Sequence, residues 1–217
     1  MRLFFAITFP DRIKTALADI SQRLQAQLPS GHWTRRENYH LTLVFLGEMT
    51  PTQANAAKTV LHTQVFTAFE LNFGDFGRFR KGNRDIWWMG IAQSGELARL
   101  HDALFTALTQ AGFKLESRPY RPHLTLAREV KTPPGLSVSS GANRAQTLNL
   151  PVEAIPSETI PSETICVEAI PTEAIPVEAV SLMESVRVDG RLVYREIDRQ
   201  PARRNQGATA ISRRGTR

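Results

Sequence analysis

Two short stretches carry side chains that could do acid–base chemistry at matched spacing. His40-Leu41-Thr42-Leu43 is the first, and His123-Leu124-Thr125-Leu126 follows 83 residues later. In an extended strand, side chains alternate between faces. His40 and Thr42 therefore share one face and Leu41 and Leu43 the other, and the same holds for His123 and Thr125 against Leu124 and Leu126. Each stretch predicts a strand with an apolar face to bury and an imidazole plus a hydroxyl on the opposite face. Imidazole titrates near pH ~6.5 and can give or take a proton around neutrality. Two imidazoles on opposite sides of one phosphate could activate water and protonate a leaving oxygen, an in-line displacement that needs no metal. The Thr42 and Thr125 hydroxyls could donate to non-bridging oxygens as charge shifts.

The elements around these strands repeat as well. Moving Arg2-Leu3-Phe4-Phe5-Ala6-Ile7 along by 83 lands on a second apolar run, Asp85 to Gly90. The segment 12–28 lands on 95–111, and both predict helices. Self-similarity at a fixed offset is an architectural signal. Each half reads as strand, helix, then a strand carrying His-x-Thr-x. The expected fold class is α+β: duplicated strand-helix-strand units form two lobes, with two antiparallel-type sheets making a central cleft and the helices outside.

Apolar spacing predicts the first helix from Pro10-Asp11, with Ile13, Leu17, Ile20, Leu24 and Leu28 on one stripe. Thr50-Pro51 is a helix start, an N-cap followed by a first-turn proline. Leu97, Leu100, Leu104 and Leu108 mark the helix 96–111, with Gly112 as its stop. Phe69, Leu71 and Phe73 predict a strand, and Gly74–Gly82 a loop rich in Gly and Arg that either contacts phosphates or is solvated surface. Phe113-Lys114-Leu115 predicts a strand edge, and Asp189-Gly190 a tight hairpin.

In its longer context the pattern resembles the 2H phosphoesterase superfamily, and within it the bacterial RNA 2′,3′-cyclic phosphodiesterases, also called 2′-5′ RNA ligases. The carrying residues are Arg2 to Ile7, Asn38-Tyr39-His40-Leu41-Thr42-Leu43-Val44-Phe45-Leu46-Gly47, and Arg118 to Arg128. The resemblance covers about 1–131 and resumes over about 177–198. It implies hydrolysis of RNA 2′,3′-cyclic phosphate ends to a 2′-phosphate. His40 and His123 would be catalytic, His40 as acid to the 3′ oxygen and His123 as base to water, and Thr42 and Thr125 would bind substrate. The alternatives are a 2′-5′ phosphodiesterase or ligase on the same site, and a non-catalytic RNA- or nucleotide-binding module. Retention of both histidines and both threonines speaks against the last.

Arg121 and Arg128 flank the second motif and could hold phosphate. Arg121, two before His123, shares the histidine face and is the expected substrate-binding residue, whereas Arg128, five past it, falls on the opposite face of an unbroken strand. Tyr120 or Phe45 could stack a nucleobase, with core packing the favoured reading for both. His32, His62 and His101 lack any such context and read as structural or surface residues. His-x-Thr-x does not match zinc-ligand spacings, so neither a metal nor a cofactor is implied, and no P-loop is present.

The 217 residues suit one domain or two small lobes sharing a core. The first 150 hold 18 Lys and Arg against 11 Asp and Glu, a basic body suited to an anionic substrate such as RNA ends or small cyclic nucleotides. The single cysteine, Cys166, rules out an intrachain disulfide framework. It sits in a repeat and reads as no nucleophile. The apolar run Leu3–Ile7 is too short for a signal peptide or membrane span. A cytoplasmic monomer without membrane contact is expected.

Three regions follow: a 2H domain over 1–150 and 177–198, an insert over 151–180, and a basic tail over 199–217 with six Arg and no acid. The insert comprises six pentapeptides, from Pro151-Val-Glu-Ala-Ile to Pro176-Val-Glu-Ala-Val, with six Glu and no base. A period of five fits neither strand nor helix, and proline recurs in it, so an extended or disordered segment is expected. The tail is expected to be disordered.

Overall fold

The computed structural model describes residues 1–133, 137–140, 164–167 and 173–203. Strand β1 (Arg2–Thr8) has β3 (His40–Glu48) on one side and β11 (Ala179–Val188) on the other, and β11 turns back as β12 (Arg191–Pro201). All three pairings are antiparallel. The β11–β12 hairpin turns at Asp189 (φ 50°) and Gly190 (φ 74°), the left-handed pair that matches strand twist. The second sheet repeats this plan. Strand β6 (Arg84–Ile91) lies between β7 (His123–Val130) and β5 (Phe73–Lys81), and the short β2 (His32–Trp33) pairs with the free side of β7.

The helices form where the apolar stripes predict. Helix α1 (Asp11–Gln27) buries Ile13, Leu17, Ile20 and Leu24, and α3 (Gly95–Gln110) buries Leu97, Leu100, Leu104 and Leu108. Each such side chain contributes roughly 1.5–3 kcal/mol of burial free energy. Helix α2 (Pro51–Thr63) starts with a reciprocal capping box: Thr50 Oγ1 accepts from Gln53 N–H, and Gln53 Oε1 accepts from Thr50 N–H. These stripes join Leu3, Phe5, Ile7, Leu41, Leu43, Leu124 and Leu126 in one core. Helix α1 touches β7 and α3 touches β3, so each lobe's helix also covers the other lobe. The fold is α+β with three α-helices and antiparallel sheets among the described residues. None of those helices is long and apolar enough to cross a membrane.

The duplication is real, but its offset is not constant. Residue 83 places after His40 is His123 on the equivalent strand, whereas strand pairing aligns Phe5 with Trp87 and Ala6 with Trp88, an offset of 82. The buried helix positions Ile13, Ile20 and Leu24 match Leu97, Leu104 and Leu108, an offset of 84. The connections absorb the one-residue differences. The distinction matters because a one-residue slip in a strand exchanges its faces.

Several expectations change. Gly74–Gly82 is no loop; most of it is β5, paired with β6 from Phe73↔Ile91 to Lys81↔Arg84. Gly77 is there for packing rather than turning, since a Cβ on it would lie 2.2 Å from the Trp88 ring. Phe113–Leu115 forms no strand. The Gly112 N–H donates to Thr109 O and the Phe113 N–H to Leu108 O, closing α3 with a Schellman motif whose apolar contact is the buried Phe113.

The insert is not wholly apart from the core. Its end forms β10 (Ile175–Val177), paired with β4 (Phe69–Leu71), and Ile175 and Val177 are both 0% exposed. Across the last two repeats, Ile175, Val177 and Ala179 alternate, so a strand period is hidden inside the period of five. Pro176 is tolerated because β10 is paired on one side only. Further back, β9 (Thr164–Val167) pairs in parallel with β8 (Ser137–Ser140). The remaining repeats, including 151–163, lie outside the described residues. The tail begins later than 199: Arg199, Gln200 and Pro201 belong to β12, and Arg203 N–H donates to Phe66 O. Residues 204–217 lie outside the described residues.

Candidate active site

The two motif strands bury the same positions in the same order. From His40 the sequence is half-buried, buried, half-buried, buried, buried, exposed, and from His123 it is identical. The two consecutive buried positions are bulges. In β3, Phe5 pairs with Val44 and Ala6 with Thr42, skipping Leu43; in β7, Trp87 pairs with Ala127 and Trp88 with Thr125, skipping Leu126. A bulge adds a residue and reverses the alternation beyond it. Leu43 and Val44 both face the core, as do Leu126 and Ala127, while Phe45 and Arg128 return to the histidine face.

This overturns the expectation for Arg128. It stands on the same face as His123, with Nη2 3.5 Å from Thr125 Oγ1, and its charge acts on His123, His40 and Tyr194. Arg121 is exposed and meets the site through its backbone: its carbonyl oxygen is 2.7 Å from His123 Nδ1. Its guanidinium makes no hydrogen bond or ion pair among the described contacts.

Both imidazoles are held alike. His40 Nδ1 lies 2.7 Å from Asn38 O, and His123 Nδ1 lies 2.7 Å from Arg121 O, each two residues upstream. A carbonyl can only accept, so both Nδ1 atoms carry hydrogen and both Nε2 atoms are left to face the cleft. His40 Nε2 accepts from the Thr42 hydroxyl at 3.0 Å. Burial lowers the His40 pKa to about 4, against the Asn38 hydrogen bond, and the Arg128, His123 and Lys14 charges lower it further. Burial, then Arg128, lowers that of His123 too, in the face of its bond to Arg121. The motif strands β3 and β7 lie against each other, and the His123 and Arg128 charges reach His40.

Aromatic rings wall both histidines. The His40 ring lies 4.9 Å from Phe4 and 4.9 Å from Tyr194. His123 lies 5.1 Å from Phe79 and 6.0 Å from Trp88. None of these four was legible as a site residue, because their elements reach the cleft only through sheet pairing. A pocket of about 260 Å³ opens beside His40, lined among others by Thr8, Lys14, Glu37, Asn38, Tyr194 and Glu196.

The lobes are clasped at the motif threonines. Thr34 Oγ1 donates to Thr125 O at 2.9 Å, and Tyr120 Oη donates to Thr42 O at 3.1 Å. Each lead-in segment thus holds the other lobe's motif strand. Tyr120 stacks flat on His101, ring centroids 4.0 Å apart, so it is no free base platform, and neither is His101 a site residue. His62 pairs with Asp198 away from the cleft, and His32 is exposed on β2. Among the described residues, no group of three or more His, Cys, Asp or Glu could hold a metal ion.

Known proteins of this kind share the sequence and the fold. The chain is 31% identical over 131 residues to the RNA 2′,3′-cyclic phosphodiesterase of Thermotoga maritima, covering 59% of this chain and 70% of that protein. It is also 31% identical over 131 residues to the protein of that name from Geobacillus stearothermophilus, covering 58% of this chain and 41% of that longer relative. The crystal structure of Escherichia coli LigT in apo form superposes with a TM-score of 0.66 at 22% identity, over 93% of this chain and 96% of that one, which shows the shared fold. The profile of the 2′-5′ RNA ligase superfamily matches residues 9–156, both motif strands included, and the chain belongs to that family.

Proposed function

We propose that this chain is an RNA 2′,3′-cyclic phosphodiesterase that opens the cyclic end to a 2′-phosphate with two imidazoles and no metal. It is an enzyme acting on phosphodiester bonds. The observation that carries this reading is the matched pair of histidines, each with Nδ1 tied to a carbonyl at 2.7 Å, on two motif strands that lie against each other. Relatives named RNA 2′,3′-cyclic phosphodiesterase, at about 30% identity, support the substrate.

In this mechanism His123 Nε2 takes a proton from water as the water oxygen bonds to phosphorus. The P–O3′ bond breaks on the opposite side, and His40 Nε2 gives its proton to O3′. The order follows the resemblance. On its own His40 is neutral near pH 7, because burial holds its pKa at about 4. An anionic phosphate beside it favours the imidazolium and raises that value, so substrate itself would arm the acid. Thr42 turns its hydroxyl from His40 to a non-bridging oxygen, Thr125 does the same from the other lobe, and Arg128 offsets the charge that develops. Lys14 and Glu37 in the pocket beside His40 are placed to meet sugar hydroxyls.

Incubation of the protein with a 2′,3′-cyclic mononucleotide, followed by phosphorus NMR of the product, tests this reading. The expected product is the 2′-phosphate, formed equally well in EDTA. No turnover, a 3′-phosphate, or activity lost to EDTA and restored by zinc would contradict it. Joining of an RNA with a 2′,3′-cyclic phosphate end to one with a 5′-hydroxyl, in a parallel assay, would favour the ligase reading.

A further inference from the structure

Each segment that leads into a motif strand makes two bonds of different reach. The first carries Asn38, whose carbonyl holds His40 Nδ1, and Thr34, whose hydroxyl donates to Thr125 O in the other lobe. The second carries Arg121, whose carbonyl holds His123 Nδ1, and Tyr120, whose hydroxyl donates to Thr42 O. One bond orients the segment's own imidazole, and the other ties down the threonine beside the opposite imidazole. A clasp that only joined the lobes could fall anywhere along the two strands. Both ties fall instead on the threonine that shares a face with the histidine.

The ties also fall where the strands are weakest. Thr42 and Thr125 each sit next to a bulge, where the ladder is locally disrupted. Thr34 grips two successive carbonyls there, its N–H donating to Leu126 O at 2.8 Å and its hydroxyl to Thr125 O at 2.9 Å. Tyr120 is itself fixed, its ring stacked on His101 of α3 with planes 6° apart. Burial raises the Tyr120 pKa, so the phenol keeps its proton and stays a donor.

We propose that Tyr120 and Thr34 are positioning residues for the reaction, whose crossed bonds set the span between the two imidazoles that one phosphate must fit. The inference rests on the function proposed above. In-line displacement needs a base and an acid correctly placed on opposite sides of phosphorus at the same moment, and small misplacements are costly. Holding the Thr42 backbone also lets its hydroxyl leave His40 Nε2 for a phosphate oxygen without moving the strand. Neither Tyr120 nor Thr34 needs to touch substrate, so their loss should appear in kcat and not in KM.

The test compares the parent with Tyr120→Phe, which keeps the ring on His101, Thr34→Val, which keeps the shape, and Thr34→Ser, which keeps the hydroxyl. On 2′,3′-cyclic AMP, Tyr120→Phe and Thr34→Val are each expected to lower kcat on the order of 10- to 100-fold, the scale of a misplacement near 1 Å, with KM unchanged. Thr34→Ser should restore most of the loss. Circular dichroism at the assay temperature separates misplacement from unfolding, and if Tyr120→Phe does not fold, the two Thr34 variants decide. Parent-like kcat in the folded variants, a loss carried by KM, or a Thr34→Ser as slow as Thr34→Val overturns the proposal. A parent inactive on the cyclic nucleotide overturns the proposed function instead. In that case the imidazole NMR signals decide: Tyr120→Phe should shift those of His40 and Thr34→Val those of His123, with His62 unmoved, and unmoved signals from His40 and His123 overturn the positioning role.

Discussion

The two motif strands are the same device built twice, and they differ in what stands beside each histidine. In β3 the histidine is buried enough to sit at about 4, its Nε2 is occupied by Thr42, and the sixth position is Phe45. In β7 the threonine hydroxyl lies toward Arg128 instead, and the sixth position is that cation. The backbone device is common to both: carbonyl-tethered Nδ1, alternation, bulge. What the comparison teaches is that duplication repeats one backbone device, while the neighbours of each imidazole, Thr42 on one side and Arg128 on the other, differ.

Breaking either imidazole should have the largest effect. His40→Ala and His123→Ala are each expected to lower turnover by at least the ~10²-fold typical of one acid–base group, with circular dichroism unchanged because both rings face the cleft. A folded variant with near-normal turnover would remove that histidine from the mechanism.

Arg128 and Arg121 sharpen the comparison next. Arg128→Ala should lower kcat/KM by roughly 10- to 100-fold, the worth of a hydrogen bond to a charged group. It should also raise the pKa of both histidines, since the cation depresses both. Arg121→Ala keeps the carbonyl that orients His123 and should change kcat/KM by less than about threefold, consistent with the small worth of an exposed charge. A larger loss in Arg121→Ala than in Arg128→Ala would reverse the assignment.

The burial of His40 makes a pH prediction. The unfolded chain takes up this proton near 6.5, the folded one only near 4. Between these values the unfolded state binds more protons, so the contribution to stability is complete above 6.5 and is lost as pH falls toward 4. Its size is on the order of 3 kcal/mol. Urea midpoints at pH 7 and pH 4.5 should fall further for the parent than for His40→Gln, and equal falls would show that His40 is not the titrating group. Inorganic phosphate should move the His40 titration upward by NMR.

The smallest effect is expected from the largest deletion. Removing Ile155–Ala179 takes away β9, the parallel partner of β8, and β10, whose Ile175 and Val177 are core residues. Yet it fuses Ala154 to Val180, and Leu150-Pro151-Val152-Glu153-Ala154 then stands where Ile175-Pro176-Val177-Glu178-Ala179 stood. Leu for Ile is the one core change, and such swaps usually cost less than about 1.5 kcal/mol. The exposed Arg12–Glu173 pair is lost at little cost. A thermal scan should show melting within a few degrees of the parent. A drop of many degrees would mean that the repeats between these two copies pack on the lobes. The period of five pointed to an extended or disordered insert, whereas at its end Ile175 and Val177 are core residues.

Much of the molecule was legible because it depends on local periodicity. The leucine stripes of α1 and α3, the Thr50-Pro51 helix start, the Asp189-Gly190 turn and the two His-x-Thr-x strands are all encoded within a few residues. The misreadings share a cause: the residue type was right and its partner was elsewhere. The glycines of β5 look like turn residues until the Trp88 ring is laid on Gly77, and Phe113 looks like a strand residue until it closes α3.

Sequence by itself determined that there are two histidine-bearing strands, that their histidines and threonines share a face, and that one long-range duplication relates them. It did so because alternation and helical period are properties of the chain's own backbone. Only the tertiary structure decided which arginine shares the histidine face, which aromatic rings stand beside the histidines, and where Phe45 points. Each of those depends on register between strands distant in the chain. A bulge at Leu43 and another at Leu126 are visible only in the pairing with β1 and β6, and they turn Phe45 and Arg128 to the histidine face.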